Sequence, residues 1–223
     1  MGKPALVMRF NQLLQEGATP ALREAGFKKH KTSYRRETDQ GLLQIVTFRR
    51  RSGQGPGELA FSLEVGVFVP GVDMFMHGEE CDPLLVTEAA ACTLSFSCCL
   101  PPPPSAFHDL EWHSLVPGTE GSDARLWGEL QDWLRRQVIP VLASLGDAAA
   151  IIAFLNRTGR TCAIGVVKPF VPASRGALVA VLLELLGRRE LARQAIDDAL
   201  ASMRRAAPGR EELVSLRDRL HLG

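Results

Sequence analysis

Apolar residues recur at helical spacing through the first 26 residues, which predicts an amphipathic helix there. The positions that share one face are Leu6, Phe10, Leu13 and Leu14. The stretch "GATP" interrupts the pattern, and Thr19 followed by Pro20 is typical of a helix restart, with threonine as the N-cap and proline in the first turn. Gly26 predicts the end of the helix, and Phe27 is expected to anchor the chain on the core.

The pattern then changes to a period of two, which is typical of strands. Three segments, "SYRRET", "GLLQIVTFRRR" and "ELAFSLEVGVFV", are rich in aromatic and β-branched residues and are separated by turn residues. The apolar face of the third consists of Leu59, Phe61, Leu63, Val65 and Val67. Its other face consists of Ala60, Ser62, Glu64 and Gly66. We expect that second face to be exposed to water and the three strands to form an antiparallel meander.

Two further strands are predicted in "ACTLSFSCCL" and "EWHSLV", the first of them ended by four prolines. Helical periodicity returns at Asp123, and Pro140 is expected to kink or split that helix near Ile139. Another helix is predicted over 147–155. The segment "CAIGVV" is read as a short strand or a buried linker.

The C-terminal stretch "RGALVAVLLELLGRRELARQAIDDALASMRR" predicts two helices broken at Gly187 and resembles half a tetratricopeptide unit. Because such repeats need about three copies for stability, we expect a helical hairpin packed on the rest of the protein. The prediction is an α+β fold: an N-terminal helix packed on an antiparallel β-sheet and closed by C-terminal helices. The α+β domain would occupy 1–157 and the helical extension 158–223.

Composition places the chain among globular proteins, with 46% hydrophobic and 23% charged residues out of 223. No run approaches the ~18 apolar residues of a membrane-spanning helix, and the start lacks the apolar core of a signal peptide. The five cysteines are odd in number and form no Cys-x-x-Cys pair. We therefore expect a cytoplasmic protein that does not bind membranes, and no motif predicts a cofactor.

Charge is segregated along the chain although the net charge is only +1. Residues 23–51 carry nine Lys/Arg against three Asp/Glu, whereas 52–133 carry one against thirteen. The basic segment is a candidate nucleic-acid surface, because Lys and Arg bind phosphates and a tyrosine can stack on a base. Its members are Lys28, Lys29, Lys31, Tyr34, Arg35, Arg36, Arg49, Arg50 and Arg51. The acidic segment that follows is expected to pair with some of them, which weakens this interpretation.

Candidate catalytic and metal-binding residues are few. His108, Asp109, Glu111 and His113 have ligand chemistry, and the last three would share one side of an extended segment. An edge strand with a polar outer face has the same pattern. Together with Glu64, these four residues are where a hydrolase site would be sought. The cysteines lie in apolar or acidic surroundings that do not favour a reactive thiolate.

The order of "AGFKK", "SYRRE", "QIVTFRR", "FSLEVGVFVP", "EWHSL" and "VIPVLASL" resembles the bacterial domain-of-unknown-function family DUF4304 over roughly residues 5–155. The resemblance implies an α+β fold and a bacterial protein, some members of the family being found near immunity or defence genes. It implies no catalytic residue. It also implies that Phe27 and Tyr34 pack at a corner between the helix and the first strand.

The sequence therefore predicts a non-enzymatic protein-binding or adaptor domain with another protein as its partner. Nucleic-acid binding through the basic segment is one alternative. A hydrolase with an unrecognised site is the other.

Overall fold

The structure is a computed structural model, and it describes residues 3–52, 58–98, 113–116, 119–159, 161–169, 171–204, 207 and 209–220. It has the expected α+β fold, with helices on an antiparallel sheet. The α-helices are α1 (Lys3–Gln12), α2 (Thr19–Glu24), α3 (Val72–His77), α4 (Asp123–Trp133), α5 (Ile139–Ala143), α6 (Ala148–Arg157), α7 (Pro172–Leu185), α8 (Arg189–Ser202) and α9 (Arg210–Arg219). The strands are β1 (Lys28–His30), β2 (Ser33–Glu37), β3 (Leu43–Ser52), β4 (Leu59–Phe68), β5 (Leu94–Cys98), β6 (His113–Leu115), β7 (Thr161–Cys162) and β8 (Gly165–Lys168).

The eight strands form one sheet in the order β1-β2-β3-β4-β5-β8-β7, with β6 also paired to β4. Every pairing is antiparallel. The predicted meander of three strands is confirmed as β2, β3 and β4, and the two later predicted strands correspond to β5 and β6. Strand β1 is an addition that the sequence pattern did not predict.

The main core lies between one face of the sheet and the helices. The alternate residues of β4 from Leu59 to Val67 all belong to it, together with apolar residues of α1, α4, α7 and α8. A second, smaller cluster on the opposite face joins Ile45 and Phe68 to Val86 and Ala89. The predicted alternation of β4 is thus confirmed, but the expected exposure of its second face is wrong, because Ala60 and Ser62 are buried and Gly66 is covered by 89–92.

The N-terminal helix is not interrupted at "GATP". Residues Leu13–Ala18 form a π-helical segment that joins α1 to α2 without a break, and Thr19 has helical φ and ψ rather than those of an N-cap. Its backbone N–H and its hydroxyl both donate to the carbonyl of Leu14. The wider π turn ends just before Pro20, so the missing N–H of the proline breaks no α-helical bond there. The helix ends as predicted at Gly26 (φ +84°), and Phe27 is buried.

The same arrangement recurs at Pro140. A second π-helical segment, Leu134–Val138, joins α4 to α5, and the backbone N–H of Ile139 donates to the carbonyl of Leu134. Helical conformation therefore continues to Ala143, so the helix is not split at Pro140, and its hydrogen-bond register changes near Ile139.

A buried ion pair connects the first helix, α1, to α4. Arg9 of α1 donates from Nε and Nη2 to the two carboxylate oxygens of Asp123, at 2.8 and 2.5 Å, and from Nη1 to the carbonyl of Val116. Both charged side chains are about one-tenth exposed. Asp123, at the start of α4, therefore anchors α4 to α1 in addition to interacting with its own helix terminus.

The C-terminal third contributes to the sheet as well as to the helical layer. The segment "CAIGVV" forms parts of β7 and β8, and β8 pairs with β5. The sheet thus extends across the expected boundary between 1–157 and 158–223. Two helices separated at Gly187 (φ +70°) are confirmed as α7 and α8, and α9 packs against both.

Among the described residues, no single helix has the length and apolar composition needed to cross a membrane. Only Asp123–Ala143 and Ala148–Arg157 taken together meet that criterion, across a bend of 111°.

We predict that Gly176→Ala destabilises the protein, although alanine favours helices. A Cβ on Gly176 in α7 would lie 2.5 Å from the Cβ of Ala199 in α8, so the two helices must separate. The expected loss is about 1–3 kcal/mol of unfolding free energy, measured by urea denaturation. The control is Gly128→Ala at an exposed position of α4, where an added Cβ meets nothing within 4 Å. It should raise the free energy of unfolding by about 0.5–1 kcal/mol. Equal effects of the two substitutions would contradict the close α7–α8 contact.

We predict that Arg9→Ala and Asp123→Ala each cost about 3–5 kcal/mol, because either change leaves the other charge buried without its partner. The double variant should cost clearly less than the sum, as measured by a double-mutant cycle in urea. The exposed pair Arg125–Glu129 is the matched control, and its removal should change stability little. Additive effects at Arg9 and Asp123 would show that the two side chains do not act as a pair.

Candidate functional site

Strand alternation divides the predicted basic surface between the two faces of the sheet. On the face toward the helices are Lys29, Tyr34, Arg36 and Arg50. On the second face are Lys28, Arg35, Arg49 and Arg51. Lys31 lies in the turn between β1 and β2, with φ +56°. Because side chains at successive positions of a strand point to opposite faces, these nine residues do not form one continuous surface.

Two members of the predicted basic surface are structural. Tyr34 is fully buried, and its hydroxyl hydrogen-bonds to Thr19 (2.8 Å) and to the carbonyl of Leu14 (3.2 Å). A fully buried ring is not available to stack on a base, so Tyr34 does not belong to a nucleic-acid surface, whereas its expected packing at the corner is confirmed. Arg36 lies over the ring of Phe27 at 4.6 Å and donates to the side chain of Gln44 and the carbonyl of Ala25, and burial lowers its pKa.

Arg49 is neutralised by acidic residues. Its Nη2 lies 2.7 Å from Glu88, in the acidic segment, and its Nη1 lies 3.4 Å from Glu64 on β4. The hydrogen bond to Glu88 is the main cause that raises the pKa of Arg49. The expected pairing between the basic and acidic segments is thus confirmed at this residue.

The acidic segment covers part of the second face of the sheet. Ala89 donates its N–H to the hydroxyl of Thr47 at 3.1 Å and packs with Ile45 and Phe68. The backbone of Gly66 lies so close to this cover that an added Cβ would be 2.6 Å from both the carbonyl of Ala89 and the Sγ of Cys92. Glycine at position 66 is what allows 89–92 to approach β4.

Arg35, also on the second face, has enclosed hydrogen-bond donors without an acceptor among the described residues. Its Nη1 lies 3.5 Å from the carbonyl of Leu84, while Nε and Nη2 are enclosed and have no acceptor in the described part of the chain. Next to it, Leu84 and Leu85 are 79% and 74% exposed, the highest values among the large hydrophobic residues that the structure describes. Lys28 on β1 is the cross-strand neighbour of Arg35.

We call the group formed by Lys28, His30, Arg35, Leu84 and Leu85 the Arg35 surface. Lys28 and His30 are exposed on the outermost strand of the sheet, on the same face as Arg35. Sequence reasoning included Lys28 and Arg35 but missed the two leucines. The sequence signal for them is the stretch "EECDPLLVTE", in which two adjacent leucines belong to no helical or strand pattern that would bury them.

Cys81 and Cys92, which belong to the acidic segment, are poor nucleophiles. Burial raises the pKa of Cys92 to about 12, while nearby Arg35 lowers it and Asp73 raises it. The pKa of Cys81 is also raised, by burial and by the hydrogen-bonded carboxylate of Asp73. Cys98 is buried in the main core on the opposite face, as expected for a small hydrophobe, and Cys99 lies outside the described residues.

Glu64 occupies the middle of the second face. One carboxylate oxygen is enclosed without a hydrogen-bond donor, and a cavity of about 40 Å³ beside it is lined by Ser95, Ser97 and Lys168. That volume accommodates water molecules rather than a substrate. A wider polar depression of about 410 Å³ lies at the end of β3, lined by Thr32, Thr47, Phe48, Arg49, Arg50 and Glu88.

The predicted metal candidates fall largely outside the structure. His108, Asp109 and Glu111 lie outside the described residues, and of His113 only the backbone, in β6, is described. Across the part of the chain that the structure describes, no group of three His, Cys, Asp or Glu side chains is placed to hold a metal ion. The hydrolase alternative stays a prediction.

We predict that Cys92 is alkylated by iodoacetamide about a thousandfold more slowly in the folded protein than in urea at about pH 8. The reason is that its pKa of about 12, against an ordinary 9.0, leaves far less thiolate. Site-resolved mass spectrometry measures the rate, with half-buried Cys162 of β7 as the internal reference. Equal Cys92 rates in the folded and unfolded protein would contradict the closed cover over Gly66.

No family model matches the chain, and searches of characterised proteins and of solved structures found no significant match.

Proposed function

We propose that this protein is a non-enzymatic binding domain that holds another protein through the Arg35 surface. The observation that carries the proposal is the position of two strongly exposed leucines, Leu84 and Leu85, beside the incompletely bonded guanidinium of Arg35. Arginine is enriched among the residues that dominate protein–protein interfaces, and adjacent exposed apolar side chains are typical of interaction surfaces.

The distribution of charge supports a protein partner over nucleic acid. Of the four basic residues on the second face, Arg49 is paired with Glu64 and Glu88. The acidic segment, with its exposed Glu79, Glu80 and Asp82, adjoins the same face and would repel a phosphate backbone. A protein partner with both apolar and acidic side chains matches Leu84, Leu85 and Arg35 together.

Nucleic-acid binding is the second candidate. Lys28, Lys29, His30, Lys31 and Arg50 are all exposed, and no carboxylate pairs with them within the described residues. Their sites are β1, the following turn and the neighbouring end of β3, so they border one corner of the sheet. Binding there would be steeply salt-dependent.

The resemblance to DUF4304 stays a prediction, and with it a bacterial origin and a role near immunity or defence. We place the protein in the cytoplasm as part of the same proposal.

The test is capture of partners from nuclease-treated bacterial lysate by the tagged full chain. We expect one protein to be retained by the wild type and lost from Leu84→Ser/Leu85→Ser, because the partner loses its apolar contacts. The matched control is Met8→Ser/Leu191→Ser, which removes two exposed apolar residues from α1 and α8. This control should retain the partner.

A charge-reversal variant separates the two candidates. If, in lysate that has not been treated with nuclease, Lys28→Glu/Lys31→Glu loses nucleic acid that wild type retains at low salt and releases at high salt, nucleic-acid binding is the function. Arg188→Glu and Arg204→Glu, at exposed positions in the C-terminal third, report the effect of net charge alone. Retention of the same protein by both serine variants would exclude Leu84 and Leu85 as its binding site.

A further inference from the structure

Arg35 has an unused pair of hydrogen-bond donors. It lies in β2 on the second face, between Lys28 of β1 and Ile45 of β3. Nη1 is directed at the carbonyl of Leu84, and both Nε and Nη2 are enclosed without an acceptor among the described residues. These two nitrogens form one edge of the guanidinium plane, and two parallel N–H bonds from such an edge match the oxygens of one carboxylate.

Three other buried or partly buried arginines do not share this property, and Arg217 shares it only at Nε, since its Nη1 is paired with Asp197. Arg9, Arg36 and Arg175 each donate from Nε, Nη1 and Nη2 to side-chain or carbonyl oxygens. An enclosed charge without partners is costly. An incoming anion at Arg35 would therefore satisfy donors that the described residues leave unsatisfied.

Within the described part of the chain, no internal group supplies that anion. The thiol of Cys92 stays protonated at neutral pH because its pKa is about 12. The carboxylate of Asp73 is hydrogen-bonded to Cys81, and Arg35 forms no ion pair with any described carboxylate. Lys28, the cross-strand neighbour, adds a second positive charge on the same face.

The turn that contacts Arg35 is weakly attached. Leu84 and Leu85 form a turn held by Asp82, whose carboxylate accepts from the N–H of Leu84 (2.8 Å) and whose carbonyl accepts from the N–H of Leu85 (2.9 Å). Their side chains are exposed, so displacing this turn removes its contact with Nη1 of Arg35 while sacrificing little buried apolar area.

We propose that the Nε/Nη2 edge of Arg35 is the receptor for a carboxylate group of the partner, admitted when the Leu84–Leu85 turn shifts. A carboxylate fits better than a phosphate monoester, because the Nε/Nη2 edge offers two parallel donors for its two oxygens and the nearby acidic residues disfavour a second negative charge. A phosphate of charge about −1.5 to −2 would face Asp73 and the acidic segment with an excess. The inference rests on the proposed function for the source of the carboxylate.

The experiment uses the purified full chain and sodium acetate as the probe, with sodium chloride and inorganic phosphate at equal ionic strength as the other arms. The readout is the ¹⁵N-detected Nε–H resonance of Arg35, assigned by its loss in Arg35→Lys. We expect acetate, and not chloride, to shift this resonance in a saturable way and to raise the Tm. Arg35→Lys keeps the charge but lacks the paired donors. The Kd for acetate, obtained from the dependence of Tm on acetate concentration, should therefore rise by roughly 10- to 100-fold. The matched control is Arg50→Lys at an exposed position, which should bind acetate as the wild type does.

Each outcome has one meaning. A resonance that acetate leaves unchanged overturns the inference, and a response to phosphate alone overturns the choice of carboxylate. An acetate effect on Tm that Arg35→Lys retains is a general charge effect and likewise overturns it. Acetate binding at Arg35 without capture of any protein would leave this site standing and remove the proposed function. Capture of a protein without acetate binding would do the reverse.

Discussion

The central strand β4 imposes the constraint on which the rest of the structure depends. Both of its edges are paired, to β3 on one side and to β5 and β6 on the other. Its odd-numbered residues from Leu59 to Val67 are all apolar and buried, so the helices must lie on that face. A shift of one residue in this register would turn Glu64 toward the main core. The strand therefore decides which face of every neighbouring strand carries charge.

That constraint creates a conflict on the second face, where the arginines of β2 and β3 lie close to the small apolar cluster around Ile45 and Phe68. The acidic segment resolves the conflict only in part. Glu88 pairs with Arg49, and Gly66 provides room for 89–92, but no carboxylate of the residues that the structure describes reaches Arg35. The candidate site is the place where neutralisation is incomplete, beside leucines that the fold does not bury.

The helices illustrate how a local stop signal is overridden. Pro20 and Pro140 each lie two positions after the end of a π-helical segment. In both cases the backbone N–H of the residue just before the proline donates to the carbonyl five residues earlier. Sequence reasoning expected an interruption at the first and a kink or split at the second. The buried faces of α1 and α4 extend through these points, at Leu13, Leu14, Leu134 and Val138, so continuous packing favours a widened turn over a break.

The sequence by itself determined the α+β class, the strands β2 to β6, the helix boundaries at Gly26 and Gly187 and the separation of basic from acidic segments. These features depend on residues close together in the chain, whose spacing sets a helical or strand period. Only the tertiary structure decided that β8 joins the sheet, that Tyr34 and Arg36 are structural, and that Arg35 lies beside Leu84. These relations join residues that are from 11 to more than 70 positions apart in the sequence. Hydrogen bonding and burial at such separations follow from strand register and packing, which no local pattern encodes.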